Sequence, residues 1–470
     1  MNPEQSQMVE TMVARFGPKI ALTDPADIAP WLTDWRGRWT GASAAILQPG
    51  STDEVAAIVS LAAELGIALV PQGGNTSMVG GATPPADGSA LIVSLRRMNK
   101  IRAIETGHAV AEAGVILETL HHAAFETGQR FPLTLGSRGS ATIGGLTSTN
   151  AGGTQVLRFG TMRGLVEGIE AVLPDGRVHD GLAGLKKDNR GPSLDQLLIG
   201  AEGILGIVTA VRMALVPAIH QRAVAWLGLA SPDDALGVLR ALDGATDRVE
   251  GFEILPRESL DAALAHIAGT RAPLDGAHPW HALVEATAAS PDDEAPDLLL
   301  ERLLAPLIER GLIADATIAA SEAQADAFWK IRDSLSEAER AVFGPATQHD
   351  ISVPVDLMPR FLRDASAAVE AAFPGTRASG FGHLGDGNIH FHVRAMSRGG
   401  LDWISHEGAA VTSLVDDLVT AAGGSISAEH GIGQMKRDEL ARLSPDRVAA
   451  IGAVKAGLDP QGLMNPGKLV

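Results

Sequence analysis

Two short stretches carry the side chains best suited to chemistry. The first, Gly382-His383-Leu-Gly-Asp386-Gly-Asn388-Ile-His390-Phe-His392-Val393, reads as a turn followed by a strand. Alternate residues of a strand share a face, so Asn388, His390 and His392 point the same way. His383 lies one Gly-Asp-Gly turn upstream and can fold back toward His390. Two converging imidazoles suit a borderline divalent ion such as Zn2+. The second stretch, Ser427-Ala-Glu429-His430-Gly431-Ile-Gly433, could supply the missing oxygen ligand through Glu429. Scattered histidines are usually structural, but polar residues clustered among glycines point to metal binding or catalysis. Arg332 and Ser336 stand at i and i+4 of one expected helix, either as a carboxylate clamp or as a salt-bridged surface. His349-Asp350 opens a strand and reads as structural.

Two glycine-rich regions point to a second kind of ligand. In Pro71-Gln-Gly-Gly-Asn-Thr-Ser-Met-Val-Gly-Gly81 a strand opens into small residues whose N–H groups suit a phosphate or pyrophosphate. The spacing fits neither the dinucleotide fingerprint nor the P-loop. The longer region, Pro132 to Thr154, lets backbone lie along an extended ligand. Together they imply one large ligand of dinucleotide size. Gly200-Ala-Glu202-Gly203-Ile-Leu-Gly206 imitates a dinucleotide fingerprint but follows a helix and precedes a strand, the wrong order, so NAD is not expected.

These residues need a framework. A helix is expected over Gln7 to Phe16, and Trp31, Trp35 and Trp39 form an aromatic stripe if helical. From Ala45 strands and helices alternate, with a helix capped by Ser51 or Thr52 and ended by Gly66. Pro217 marks a boundary, beyond which a second α+β region runs to about residue 420 before a helical tail. The 470 residues suffice for two or three domains, and the 53 glycines exceed the usual share. The absence of cysteine excludes disulfides, thiolate metal sites, iron–sulfur clusters and cofactor bonds through sulfur. A net charge of -18 disfavours nucleic acid. No apolar run approaches the ~18 residues that cross a bilayer, and the first residues lack a signal-peptide pattern, so a soluble cytoplasmic protein is expected.

From Trp35 to Val470 the chain resembles the FAD-dependent D-2-hydroxyacid dehydrogenases, of D-2-hydroxyglutarate and D-lactate type. These belong to the vanillyl-alcohol-oxidase/p-cresol-methylhydroxylase (PCMH) superfamily. The stretches that carry the resemblance are PQGGNTSMVGGA, PLTLGSRGSATIGGLTSTNAGG, GHLGDGNIH, SAEHGIG and NPGK. It implies an α+β fold: a two-subdomain PCMH-type FAD-binding domain plus an α+β substrate cap, with the C-terminal segment returning to the FAD domain. The implied divisions are an arm over 1–34, the FAD domain over 35–217, the cap with metal ligands over 218–425 and the returning segment over 426–470. Gly73, Gly74, Asn75, Thr76 and Ser77 would bind the pyrophosphate. Pro132, Gly136, Ser140, Gly144, Gly145, Asn150 and Gly152 would line the rest of FAD. Glu202, Gly203, Gly206, Ile207 and Val208 would lie near the adenine, and Asn465 would approach the flavin. Asn75 stands where members with histidyl-linked flavin carry histidine, so FAD should be noncovalent.

The resemblance further implies His383, His390 and Glu429 as ligands of a divalent metal, taken to be Zn2+, and His430 as the base. Arg332 and Ser336 would hold the substrate carboxylate, with His392 as a further contact. The metal would lower the pKa of the 2-hydroxyl, His430 would take its proton, and the Cα hydride would pass to flavin N5. Gln348 replaces a lysine that relatives often carry, and His392 stands where 2-hydroxyglutarate-type members resemble asparagine, which weakens the case for a dicarboxylate. D-2-hydroxyglutarate is favoured, with D-lactate, another D-2-hydroxy monocarboxylate or a glycolate-oxidase-like subunit as alternatives. A quinone or an electron-transfer flavoprotein would accept the electrons, and a homodimer is compatible. The rivals are an oxidase using O2, a colourless zinc hydrolase and a non-catalytic subunit.

Overall fold

The computed structural model describes residues 1–396 and 400–470. The chain divides into two compact units. The first comprises Met1–Gly153, Phe159–Ala218 and Glu429–Val470; the second comprises Thr154–Arg158 and Ile219–Ala428.

The first unit contains a four-stranded sheet, in the order Ala21–Leu22, Ile46–Leu47, Ala90–Ser94, Ala68–Gln72, whose last three strands are parallel. Its antiparallel five-stranded sheet runs Ile101–Glu105, His108–Glu112, Ile207–Ala214, Val166–Val172, Val178–Asp180. The helix Thr52–Leu65 starts where Ser51 Oγ accepts the Glu54 amide and stops at Gly66, whose φ of 66° only glycine adopts cheaply. Its buried face of Val55, Ile58, Val59 and Ala62 packs in one core with Leu69, Leu91 and Val93 of one sheet and Val172 and Ile207 of the other. Met8 and Met12 of the first helix, Pro3–Phe16, close that core. The C-terminal segment returns here: Leu69 exchanges backbone bonds with the tail, Leu69 N to Leu463 O and Asn465 N to Leu69 O, each 2.8 Å.

The tryptophan stripe does not form. Only Ala29–Trp31 is helical, as a 3-10 turn, and Thr33 then bridges Thr40. Asp34 accounts for this, because its two carboxylate oxygens take the amides of Arg36 (3.1 Å) and Trp39 (2.6 Å) and fold the segment into a tight turn.

The second unit is built on a seven-stranded sheet. Its strands are β1 (Gln221–Leu229), β2 (Val249–Pro256), β3 (Trp280–Ala288), β4 (Asp315–Ile318), β5 (Ala346–Ser352), β6 (Thr376–His383) and β7 (Asn388–Ala395), in the order β4-β1-β3-β2-β6-β7-β5. Period-2 alternation separates two faces. Ile351, Ile389, Phe391 and Val393 pack on one side with helices Pro232–Asp243, Pro296–Glu309, Met358–Ala372 and Gly400–Ala421. Leu255, Leu283 and Phe381 pack on the other with helices Arg257–His266, Glu322–Asp333 and Leu335–Phe343.

One expected element is broken. The helix carrying Arg332 and Ser336 is two helices, Glu322–Asp333 and Leu335–Phe343, separated at Ser334 (φ -89°, ψ -2°). The Ser334 hydroxyl donates back to Lys330 O at 2.7 Å, a local bond that competes with helix propagation. Arg332 is buried and Ser336 exposed, so the pair does not form one face of one helix.

Candidate functional site

In the second unit the clustered polar side chains lie on the face of β2, β6, β7 and β5 that carries Leu255 and Phe381. Antiparallel register sets Glu253 opposite His383, His383 opposite Asn388, Asp350 opposite His390 and Gln348 opposite His392. The β6–β7 turn requires its glycine: at Gly387, φ is 81° and a Cβ would lie 2.1 Å from Val353 O. That turn folds His383 back toward His390, and their ring centroids stand 5.8 Å apart at 72°.

Behind the imidazoles stands a carboxylate that the sequence reading passed over. Glu253 is 1% exposed, with Oε1 2.5 Å from His383 Nδ1 and Oε2 2.8 Å from Arg332 Nε. Burial opposes its ionisation, but Arg332 and His383 hold its carboxyl down at about 2. An ionised carboxylate only accepts, so His383 carries its proton on Nδ1 and keeps the Nε2 lone pair, to which Arg332 Nη2 donates at 3.1 Å. Burial, with Arg332 and His383 alongside, drives the His390 pKa well below its usual value, so its imidazole is neutral and able to ligate. Asn388 anchors the row by donating to Asp350 Oδ1 and Ile351 O, each at 3.0 Å. Its own Oδ1 is buried without a partner among the described residues. Two converging imidazoles, one backed by a carboxylate, together with an unsatisfied oxygen, fit a divalent cation.

His392 is placed differently from expectation. It is buried, its Nδ1 lies 2.6 Å from Glu339 Oε2, and Ser259 Oγ donates to the other Glu339 oxygen at 2.5 Å. A carboxylate already engages the ring. Gln348, across from it on the edge strand, is exposed.

In the first unit the glycine-rich segments converge. A Cβ on Gly73 would lie 2.1 Å from Thr142 Oγ1, and one on Gly74 would lie 2.0 Å from Ser140 O. The first loop thus rests directly on the second, which only glycine permits. The amides of Gly74, Asn75, Thr76 and Ser77 donate to no acceptor among the described residues. Gln72 Oε1, Thr142 Oγ1 and Asn465 Oδ1 are buried without partners among the described residues. A row of unpaired amides framed by orphaned polar atoms fits the pyrophosphate and polar edges of FAD.

Among the described residues, four of the five non-glycines with positive φ are expected cofactor contacts: Asn75 (57°), Asn150 (51°), Glu202 (50°) and Asn465 (43°). Such conformations concentrate at ligand sites. Asn75 donates to Thr33 O at 2.9 Å, and Asn150 accepts from Thr161 Oγ1 and the Arg163 amide, each at 2.9 Å.

Several of the expected contacts are closely packed by the chain itself. Gly144 and Gly145 sit on a helix, Ile143–Thr149, and a Cβ on Gly144 would meet Ala113 Cβ at 2.6 Å. Gly203 is required by Pro71, at 2.6 Å from a Cβ, and Gly206 by Val172 O, at 2.8 Å. Pro132, Gly152, Ile207 and Val208 are buried, whereas Gly136 and Ser140 are exposed. Glu202 spends both carboxylate oxygens on the amides of Ile432 and Gly433, each at 2.7 Å. Glu429 and His430 open the same returning segment and belong to the first unit, with His383 and His390 in the second.

Residues 43–181 match an FAD-binding domain family and residues 220–469 match the FAD-linked oxidase C-terminal domain family. The chain is 36% identical over 481 residues to the mitochondrial D-2-hydroxyglutarate dehydrogenase of Arabidopsis thaliana, covering 100% of this chain and 83% of that one. It is 37% identical to the D-2-hydroxyglutarate dehydrogenase of Xanthomonas citri pv. viticola, covering 95% and 93%. A putative mitochondrial D-lactate dehydrogenase of Schizosaccharomyces pombe is 30% identical, covering 100% and 90%. Among solved structures, p-cresol methylhydroxylase with substrate bound superposes at a TM-score of 0.74 with 15% identity, covering 100% and 97%. Alkyldihydroxyacetonephosphate synthase gives 0.70 with 16% identity, covering 98% and 84%. The fold is thus of the PCMH type, and the chain belongs to the FAD-linked oxidase family that holds the D-2-hydroxyglutarate dehydrogenases, as an FAD-dependent oxidoreductase.

Proposed function

We propose that the chain oxidises a D-2-hydroxy acid to the 2-keto acid, with D-2-hydroxyglutarate as the preferred substrate and a divalent ion, Zn2+ by donor type, assisting. The observation that carries this reading is the His383–His390 pair with Glu253 fixing the His383 tautomer. An oxidase working on flavin alone has no use for such a pair. When bound, the flavin accepts the hydride lost from Cα, and the ion, as a Lewis acid, makes the hydroxyl more acidic.

His383 and His390 are assigned as ligands through a ring nitrogen each, with Arg332 Nη2 giving up its bond to His383 Nε2, and Glu429 as the carboxylate ligand. Chain continuity supports Glu429: the preceding Ala428 amide donates to Asp350 O at 3.3 Å, and Asp350 stands opposite His390 in register. His430 is assigned as the base, since imidazole is the side chain most often used to take a proton near neutral pH. Arg332 is assigned to the substrate carboxylate, because Glu253 holds its Nε and so fixes a fork-shaped guanidinium beside the imidazole pair. Ser336 and His392 are secondary contacts in this assignment.

A second reading, oxidation of D-lactate or another monocarboxylate, is favoured by Gln348. No lysine stands there to meet a distal carboxylate, and His392 opposite is already paired with Glu339. Steady-state turnover with an artificial electron acceptor separates the readings. A higher kcat/KM for D-2-hydroxyglutarate than for D-lactate, with no turnover of the L-acids, supports the first. The reverse order supports the second, and turnover of L-acids overturns both.

A further inference from the structure

Glu202 is constrained through its backbone and its side chain alike. Its φ of 50° is costly for a side chain with a Cβ, and such strain persists only where the surroundings over-determine it. Here they do. The Glu202 amide donates to Ser148 O at 2.8 Å, and its carbonyl accepts from Asn465 Nδ2 at 2.6 Å. Oε1 accepts the Ile432 amide and Oε2 the Gly433 amide, each at 2.7 Å. The recipient loop is shaped to this carboxylate. Gly431 (φ +81°) would put a Cβ 2.9 Å from Glu202 Oε1, and Gly433 (φ +53°) would put one 2.3 Å from Val79 O. Gln434 N then bonds Val79 O at 3.1 Å, on the first glycine-rich loop.

We propose that Glu202 is a positioning residue that clamps the 431–433 turn and so fixes the backbone from which Glu429 and His430 project. The clamp ties that segment to the helix ending at Thr149 and to the Asn465 tail, both within the cofactor-binding unit. The consequence for turnover rests on the reading of His430 as the base; the clamp itself does not. Only a carboxylate offers two acceptors to two parallel N–H groups. A glutamine would set an NH2 against one of them.

Hydrogen exchange of the FAD-loaded protein, read on peptides covering 431–434, tests the clamp without relying on activity. Glu202→Gln is expected to exchange there roughly 10–100-fold faster, the loss of one charge-assisted bond to a buried carboxylate. Flavin absorbance should be retained, and kcat should fall at least about 10-fold on any substrate the parent turns over. Gly431→Ala keeps the carboxylate but pushes against it, and should give the same exchange without flavin loss. Unchanged exchange at 431–434 in either folded variant overturns the proposal. So does flavin loss from Glu202→Gln with that exchange unchanged, which would make Glu202 a cofactor contact. If neither variant changes the parent's inactivity on D-2-hydroxy acids while exchange rises, the clamp stands and the substrate reading falls.

Discussion

Replacing Glu253 tests whether the imidazole pair is a built ligand site. Its carboxylate, 1% exposed, serves two partners at once, His383 Nδ1 at 2.5 Å and Arg332 Nε at 2.8 Å. Glu253→Ala leaves the Arg332 guanidinium, itself 9% exposed, without its buried counter-charge. Removing one member of a buried pair costs about 3–5 kcal/mol, a large part of a typical domain's stability. Glu253→Gln preserves volume and one acceptor, so its structural cost should be smaller, about 1.5–3 kcal/mol. The effect on metal is separate. A glutamine no longer compels His383 to carry its proton on Nδ1, so Nε2 is less reliably a lone pair. Losing such a partner typically weakens metal binding roughly 10–100-fold, or about 1.4–2.7 kcal/mol. The assay is Zn2+ titration of the metal-free flavoprotein in competition with a chromophoric chelator, alongside thermal unfolding of the same samples. A folded Glu253→Gln variant that binds Zn2+ within about twofold of the parent would refute the reasoning.

Three further outcomes follow from the same structure. Gly74→Ala forces a Cβ to 2.0 Å from Ser140 O, so the first loop must lift off the second and the purified protein should lose most of its yellow colour; full flavin content would show that the loops do not form the cradle. His281, buried beside His278 and Arg257, has its pKa lowered to about 4, below the ~6.5 of the unfolded chain, so the unfolded state binds the proton first. Stability is therefore full above about pH 6.5 and falls by up to about 3 kcal/mol as pH drops toward 4, a slope that His281→Gln should flatten in urea unfolding across that range. Gln348→Lys adds a cation to an exposed position opposite His392, and at about 1 kcal/mol should raise the D-2-hydroxyglutarate to D-lactate ratio of kcat/KM about fivefold. An unchanged ratio would mean that this edge of the sheet does not meet the distal carboxylate.

Local signals carried most of what could be read in advance. The Ser51 cap, the Gly66 stop and the alternation through Asn388, His390 and His392 are short-range patterns, and the structure contains each. The glycine-rich segments were legible as a ligand site. What each glycine does was not, because Gly144 answers to Ala113 and Gly203 to Pro71, neighbours that only the folded chain supplies. Glu253 was missed for a similar reason. It stands on a strand, Val249–Pro256, read only as part of a mixed region, and its meaning comes from a residue 130 positions away across the β2–β6 pair. A glutamate between Phe252 and Ile254 was the available signal, one of two charges on a strand otherwise fit for burial. The expectation of one helix through Arg332 and Ser336 failed because Ser334 bonds its own turn.

The most direct test of the central claim is an anaerobic visible spectrum of the FAD- and Zn2+-loaded protein during addition of D-2-hydroxyglutarate, D-lactate and their L-enantiomers. The account predicts a yellow protein bleached by a D-acid, unaffected by the L-acid, and protected from bleaching by prior chelation. Bleaching that proceeds equally after chelation would contradict a metal role for His383 and His390, and a yellow protein that no 2-hydroxy acid reduces would contradict the reaction itself.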